Sequence, residues 1–169
     1  AEALLRATHE YGFNTAIETT AFADREVVMR LLPHVDHFLM DIKHMDSVKH
    51  LEFTTRPNEQ ILENAKYIAE NAKHLIAENA RHLIIRVPVV PTFNDTPSEI
   101  AAIARFADSL PNVTEMHLLP YHRLGQDKYT GLGRTYLLDG IAPPTADHMN
   151  MLLQAAQNAS TKLQVQIGG

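Results

Sequence analysis

Polar and apolar positions alternate in short runs along this chain, and longer stretches with helical periodicity separate them. The alternation is clearest at residues 37–43, His-Phe-Leu-Met-Asp-Ile-Lys. Successive side chains of a strand point to opposite faces. Phe38, Met40 and Ile42 then make one wholly apolar face, and Leu39, Asp41 and Lys43 make another that turns polar only at its C-terminal end. An antiparallel strand with one wet face is usually polar along its length. An apolar outer face that ends in a carboxylate and an ammonium fits a parallel α/β sheet or barrel, where sites form at the C-terminal strand ends. Taken alone, the pair equally fits a strand that simply meets solvent there.

The same reading extends along the chain. Leu4, Leu5 and Ala7 give residues 1–11 helical periodicity, and Gly12 is a C-cap signal. No capping residue opens this helix and no methionine precedes it, so the expectation is a chain that starts inside a helix, as a part cut from a longer protein would. Residues 15–20 are predicted as the first strand, with Ala16, Glu18 and Thr20 opposite Ile17 and Thr19. Asp24 can cap a helix to about Leu32, stopped by Pro33. The strand at 38–43 comes next. Residues 57–82 are a run of helix formers with Asn58 as N-cap, and Ile68–Leu75 is nearly repeated in Ile76–Leu83. A single helix there would be roughly 36 Å long at about 1.5 Å per residue, long for one that covers a single strand. Residues 84–90 are the third strand, Ile84, Arg86 and Pro88 facing away from Ile85, Val87 and Val89, with Pro88 marking a strand end or an irregularity. After a turn at 91–95, Thr96 or Ser98 caps a helix over 97–110 whose stripe is Ile100, Ile103, Ala104 and Ala107. Residues 115–122 are the fourth strand, 123–144 a glycine-containing loop, 145–158 a capped last helix and 162–167 a fifth strand.

Such an order predicts an α/β fold of alternating β/α units, with a parallel sheet and right-handed crossovers. Four or five strands are too few to close an eight-stranded barrel, which leaves an open sheet or a partial barrel.

Composition narrows the function classes. At 169 residues, 45% hydrophobic and 21% charged, the chain is that of a single soluble domain able to bury a core. A net charge of -5 argues against a nucleic-acid footprint. No apolar run is long enough to span a bilayer, and residues 1–14 lack the pattern of a secretory signal. A sequence without cysteine offers no disulfide, no thiolate zinc site and no cysteine nucleophile, as suits a cytoplasmic protein. Among the ten histidines, His34 and His37 straddle a turn, His44 and His50 fall in a loop, and His74 and His82 on the long helix. None has zinc-enzyme spacing with a third ligand, so solvated histidines are expected.

Each of the first four predicted strands ends in an ionisable side chain: Glu18, then Asp41 with Lys43, then Arg86, then His122. In a parallel sheet these ends share one edge, where a binding crevice forms. Two acids and three potential cations on one edge must pair internally or hold a charged ligand. A purely structural ion-pair network is the competing explanation; four consecutive strands each adding a group favour a site for a zwitterionic small molecule.

At this point the residues carry a family likeness. Residues 17–22 (Ile-Glu-Thr-Thr-Ala-Phe), 39–43 (Leu-Met-Asp-Ile-Lys), 85–91 (Ile-Arg-Val-Pro-Val-Val-Pro) with Phe93-Asn94-Asp95, and 119–125 (Leu-Pro-Tyr-His-Arg-Leu-Gly) with Lys128, Tyr129, Leu132 and Gly133 follow one another in order. Together they resemble the C-terminal half of the pyruvate formate-lyase-activating enzymes, the radical S-adenosylmethionine (SAM) activases of glycyl-radical enzymes. The resemblance implies a partial (β/α)6 TIM-like barrel, and a [4Fe–4S] cluster on a Cys-x3-Cys-x2-Cys loop that cleaves SAM. The radical produced takes a hydrogen from a glycine of a partner such as pyruvate formate-lyase, with flavodoxin or ferredoxin as reductant. By position it implies SAM contacts at Asp41, Ile42, Lys43 and His122, an arginine near SAM and substrate at Arg86, and a monovalent cation at Glu18, Thr19 and Asp41. It places the loop at 123–144 where a partner peptide could be clamped. The chain departs from the pattern in lacking the cluster cysteines and the first strands, in having Glu18 for aspartate, and in having Thr20-Ala21 for a polar residue and glycine. The expectation is therefore one C-terminal portion, residues 1–169, inert when isolated. Two other readings are kept: an aldolase-like barrel with Lys43 as its Schiff-base lysine, and a non-catalytic interaction module pairing through an exposed sheet edge.

Overall fold

The computed structural model describes residues 1–71, 82–123, 129, 131–136 and 138–169. Its elements are α1 (Glu2–Glu10), β1 (Ala16–Thr19), α2 (Arg25–Leu31) with a 3-10 turn (Leu32–His34), β2 (His37–Asp41), α3 (Ser47–Thr54), α4 (Glu59–Asn71), β3 (His82–Val89), α5 (Pro97–Ser109), β4 (Glu115–Pro120), α6 (Ala146–Asn158) and β5 (Gln164–Ile167). The five strands form one sheet in the order β1-β2-β3-β4-β5, every pair parallel.

Register and burial show how the sheet is used. Phe38, Met40 and Ile42 share a face with Leu83, Ile85, Val87 and Val89 and with Met116 and Leu118, and all are buried. Ile61, Ala65 and Ile68 of α4, Ile100, Ile103, Ala104 and Ala107 of α5, and Leu152 and Ala156 of α6 pack against this face. Strands in sequence order with the helical core on one face are wound as in a β/α barrel, whereas a doubly wound sheet is covered on both faces. The opposite face carries Glu18, Leu39, Asp41, Ile84, Arg86, His117 and Leu119, and is only partly covered.

Local chemistry explains most boundaries. At the end of α1, Gly12 takes φ +78° while its N–H donates to the His9 carbonyl and that of Phe13 to the Thr8 carbonyl, a Schellman closure. Thr96 and Glu99 form a reciprocal capping box on α5, and Thr145 caps α6. Asp24 precedes α2 but makes no side-chain cap bond, and Pro33 sits inside the 3-10 turn. Pro88, which has no N–H to donate, stands one residue before the end of β3.

Three expectations need correction. Helix α3 was not anticipated: Asp46 caps it by accepting from the N–H of Val48 and Lys49, but its stop is Thr55 at φ +63°, where glycine would have announced it. The run over 57–82 is not helical to its end: α4 is described over Glu59–Asn71, and His82 already opens β3, paired with His37. The rest of the duplicated segment 68–83, with His74, lies outside the described residues from 72 to 81. Nor are the histidines uniformly solvated. His44, His50 and His117 are buried; His44 bonds Glu99, and the His50 Nδ1 donates to the Arg56 carbonyl. His37 and His82 stack with ring centroids 5.3 Å apart.

Two predictions follow from these contacts. A β-branched residue in the left-handed region is strained, so Thr55→Gly should stabilise the chain by about 1 kcal/mol, read as a higher urea midpoint at unchanged m. Burial of Glu99 would raise its pKa, but hydrogen bonds from Lys49, His44 and Thr96 outweigh this and hold the carboxyl at about 2 against an ordinary 4.5. A depressed folded-state value stabilises the fold above the unfolded value. That contribution should be full above pH 4.5 and fade as pH falls toward about 2. Acid titration of stability should show this loss in the parent chain and a flatter profile in Glu99→Gln.

Candidate functional site

The site lies on the open face of the sheet, at the C-terminal ends of β1, β2 and β3. Asp41 and Arg86 are register neighbours on β2 and β3, so the pleat points both side chains the same way. Glu18 stands beside Leu39 on β1, and the Arg86 side chain reaches across β2 to meet it. The distances are 2.7 Å from Arg86 Nη1 to Glu18 Oε1, 3.4 Å from Arg86 Nε to Asp41 Oδ1, and 2.9 Å from Lys43 Nζ to Asp41 Oδ2. Glu18, Asp41, Lys43 and Arg86 are thus one network of two acids and two bases.

That network is incompletely bonded. Asp41 Oδ1 and Arg86 Nε are both buried and neither has a hydrogen-bond partner among the described residues. Leaving such atoms unbonded costs roughly 1–3 kcal/mol each, more when charged. These two atoms face each other at 3.4 Å, too long for a good hydrogen bond, so the Asp41–Arg86 contact rests on charge. A cleft of about 320 Å3 opens beside them, lined by Glu18, Leu39, Arg86, His117, Leu119 and Gly169.

Buried amides hold the strand ends in place. Asn94 donates to the carbonyls of Lys43 and Pro88 and accepts from the Val90 N–H. Asn58 donates to the carbonyls of His44 and Met45, and Asn64 to those of Ala21 and Ala23. Each fixes the loop that leaves one of the three strands carrying the site.

Other predicted site residues fall elsewhere. Thr19 faces away from Glu18, as neighbours in a strand must, and its Oγ1 accepts from the Ala21 N–H. The Ile42 side chain is in the helix-covered core, while its N–H donates to the Arg86 carbonyl. His122 lies exposed two residues beyond β4. Of the loop after it, Arg123 donates twice to the Ile141 carbonyl, and the Tyr121 and Tyr136 hydroxyls are 2.8 Å apart. Residues 124–128, with Gly125 and Lys128, are outside the described set. Among the described residues, no group of three His, Cys, Asp or Glu side chains could hold a metal ion.

Sequence reasoning missed His117. It neighbours Arg86 in the register and lies 3.4 Å from Glu115 on the same face, in the body of a strand and not at its exit. Its signal was present: position 117 has the parity of the open face, where an apolar residue would have been unremarkable.

The chain is similar over most of its length to known proteins. The chain is 44% identical over 134 residues to the isethionate sulfite-lyase activating enzyme of Desulfovibrio desulfuricans, covering 79% of this chain and 41% of that one. It is 39% identical over 140 residues to the choline trimethylamine-lyase activating enzyme of Oleidesulfovibrio alaskensis, covering 81% and 43%. The crystal structure of a domain of pyruvate-formate lyase-activating enzyme from Bacteroides vulgatus superposes with TM-score 0.76 at 27% identity, over 99% of this chain and 89% of that domain. The chain spans about two fifths of the length of the curated relatives it matches. No family model matches the sequence.

The burial of the network ranks its members. Glu18 is 67% exposed at its side chain and Arg86 only 16%. Glu18→Gln should change stability by less than about 1 kcal/mol, as exposed pairs do. Arg86→Met, which leaves Asp41 with Lys43 alone, should cost about 3 kcal/mol in urea unfolding.

Proposed function

We propose, for a chain homologous to part of the activating enzymes of glycyl-radical enzymes, that it forms one wall of a SAM site in a TIM-like partial barrel. The observation that carries the reading is the meeting of Asp41, Lys43, Arg86 and Glu18, two acids and two bases, at adjacent strand ends. SAM presents an ammonium and a carboxylate, which such a set can hold. Asp41 accepts from the ammonium, and Lys43 and Arg86 pair with the carboxylate. His122, at the exit of β4, is assigned to the adenine or ribose edge, and Ile42 contributes main chain only.

SAM, when bound and reduced at an iron–sulfur cluster, supplies the 5′-deoxyadenosyl radical by which these activases take a hydrogen from a partner's glycine. This chain has no cysteine, so its own residues do not fit a [4Fe–4S] cluster, and the ligands are assigned to another part of the protein. What these residues do is bind and orient. The Arg86 guanidinium spans three strands and sets the Asp41 carboxylate against the cleft. The chain is thus assigned as the C-terminal portion of the activase, inactive by itself and cytoplasmic; no described helix is long and apolar enough to cross a membrane. Its partner is a glycyl-radical enzyme, with pyruvate formate-lyase as one candidate and flavodoxin or ferredoxin as reductant. A monovalent cation at Glu18, Thr19 and Asp41 finds less support, since Arg86 holds Glu18 and Thr19 points to the opposite face. A Schiff-base role for Lys43 also finds little, because its Nζ is engaged by Asp41 at 2.9 Å.

The test is a reconstituted longer protein that carries this sequence. It should show [4Fe–4S] absorbance and release 5′-deoxyadenosine from SAM under reduction, whereas the 169-residue chain alone should release none. Asp41→Asn and Arg86→Gln should each weaken SAM binding about tenfold or more, equal to at least about 1.4 kcal/mol. Normal SAM affinity in both variants, or borohydride trapping of a carbonyl substrate on Lys43, would overturn the assignment.

A further inference from the structure

A second hollow, of about 330 Å3, opens beside Lys43. It is lined by Thr20, Phe22, Lys43, His50, Thr54, Arg56 and Ile61. The protein as a whole carries a net charge of -5, yet no carboxylate is among these lining residues, and two of them are permanent cations. Glu59, which interacts with His50 through charge, accepts a hydrogen bond from Ser47 and is not among the lining residues.

The lining is ordered by its own bonds. The buried His50 ring is fixed by donating from Nδ1 to the Arg56 carbonyl at 2.6 Å, and Thr54 Oγ1 donates to the His50 carbonyl at 2.7 Å. These contacts tie the end of α3 to Arg56, whose guanidinium sits 5.7 Å from the centre of the Phe22 ring. Lys43 spends one N–H on Asp41 and has two more to donate. Phe22 and Ile61 supply apolar walls between the cationic groups.

We propose that this hollow is a carboxylate subsite. Arg56 and Lys43 take the anionic head, the Thr20 hydroxyl adds a hydrogen bond, and Phe22 and Ile61 cover a short aliphatic stem. A planar carboxylate matches the guanidinium fork, and the apolar walls select an organic acid over inorganic phosphate, which has no stem to cover. The carboxylate can come from a free small dicarboxylate or from an acidic side chain of a partner protein. The subsite stands apart from the SAM reading, since its lining shares only Lys43 with that network.

The 169-residue chain, labelled with nitrogen-15, tests this by titration with glutarate, with N-acetyl-glutamate amide and with inorganic phosphate. Glutarate should give saturable shifts at the amides of Thr20, Phe22, Lys43, His50, Thr54 and Arg56. Arg56→Gln, at an exposed position, should weaken that binding about tenfold with the rest of the spectrum unchanged. Matching shifts with N-acetyl-glutamate amide assign the head group to an acidic side chain, and shifts with glutarate alone assign it to a free acid. Saturation by phosphate but not by either carboxylate, shifts confined to Glu18, Asp41 and Arg86, or unchanged affinity in Arg56→Gln would each overturn the proposal. Lys43 is left intact throughout, so a failure here does not count against SAM binding, nor a failure of SAM binding against this subsite.

Discussion

Three buried asparagine amides hold the working edge of this protein together. Strand ends are where a parallel sheet stops satisfying its own main chain, and the loops that leave them carry carbonyls that water cannot reach. Asn64 and Asn58 donate to such carbonyls after β1 and β2, and Asn94, itself just beyond β3, donates back to the Lys43 carbonyl after β2. Asn94 does the most, bonding the main chain at Lys43, Pro88 and Val90 and so tying the exit of β2 to the exit of β3. Asp41 and Arg86 sit just inside that tie. Their 3.4 Å approach depends on loops that cannot drift, because a drift would strand a buried amide.

The two faces of the sheet divide the labour. On the covered face, Met40, Ile85, Val87 and Met116 meet the apolar stripes of α4, α5 and α6, and the hydrophobic effect holds the strands in register. A slip of one residue would bury Asp41 and Arg86 in that core, so the register is strongly specified. The open face is thereby free to carry charge. Its network of Glu18, Asp41, Lys43 and Arg86 is balanced in charge, with Asp41 Oδ1 and Arg86 Nε 3.4 Å apart. Paired charges of both signs at one edge suit the holding of a zwitterion.

The sequence made much of this legible. The alternation at Phe38–Ile42 and at Ile84–Val89 gave the faces, and the parity of Glu18, Asp41 and Arg86 put them on one side together. It hid α3, because Thr55 occupies a left-handed position without the glycine that usually marks one. It hid His117, which lies within a strand, and it misjudged His44 and His50, whose partners Glu99 and the Arg56 carbonyl lie on a distant helix and in a loop. Asn58 reads from the sequence only as a cap, and Asn64 and Asn94 carry no sign of their role, because a side-chain amide has no periodicity of its own.

What the sequence determined by itself was therefore the order of elements, the buried face of each strand and the polar character of the strand exits. These follow from the two-residue period of a strand and the stripe of a helix, which are local properties. What only the tertiary structure decided was which polar groups meet. Arg86 reaches Glu18 over an intervening strand, Thr19 turns from its own neighbour, and Lys43 both pairs with Asp41 and lines a separate hollow. Such choices depend on register between strands far apart in the chain and on side-chain direction, and no periodicity encodes either.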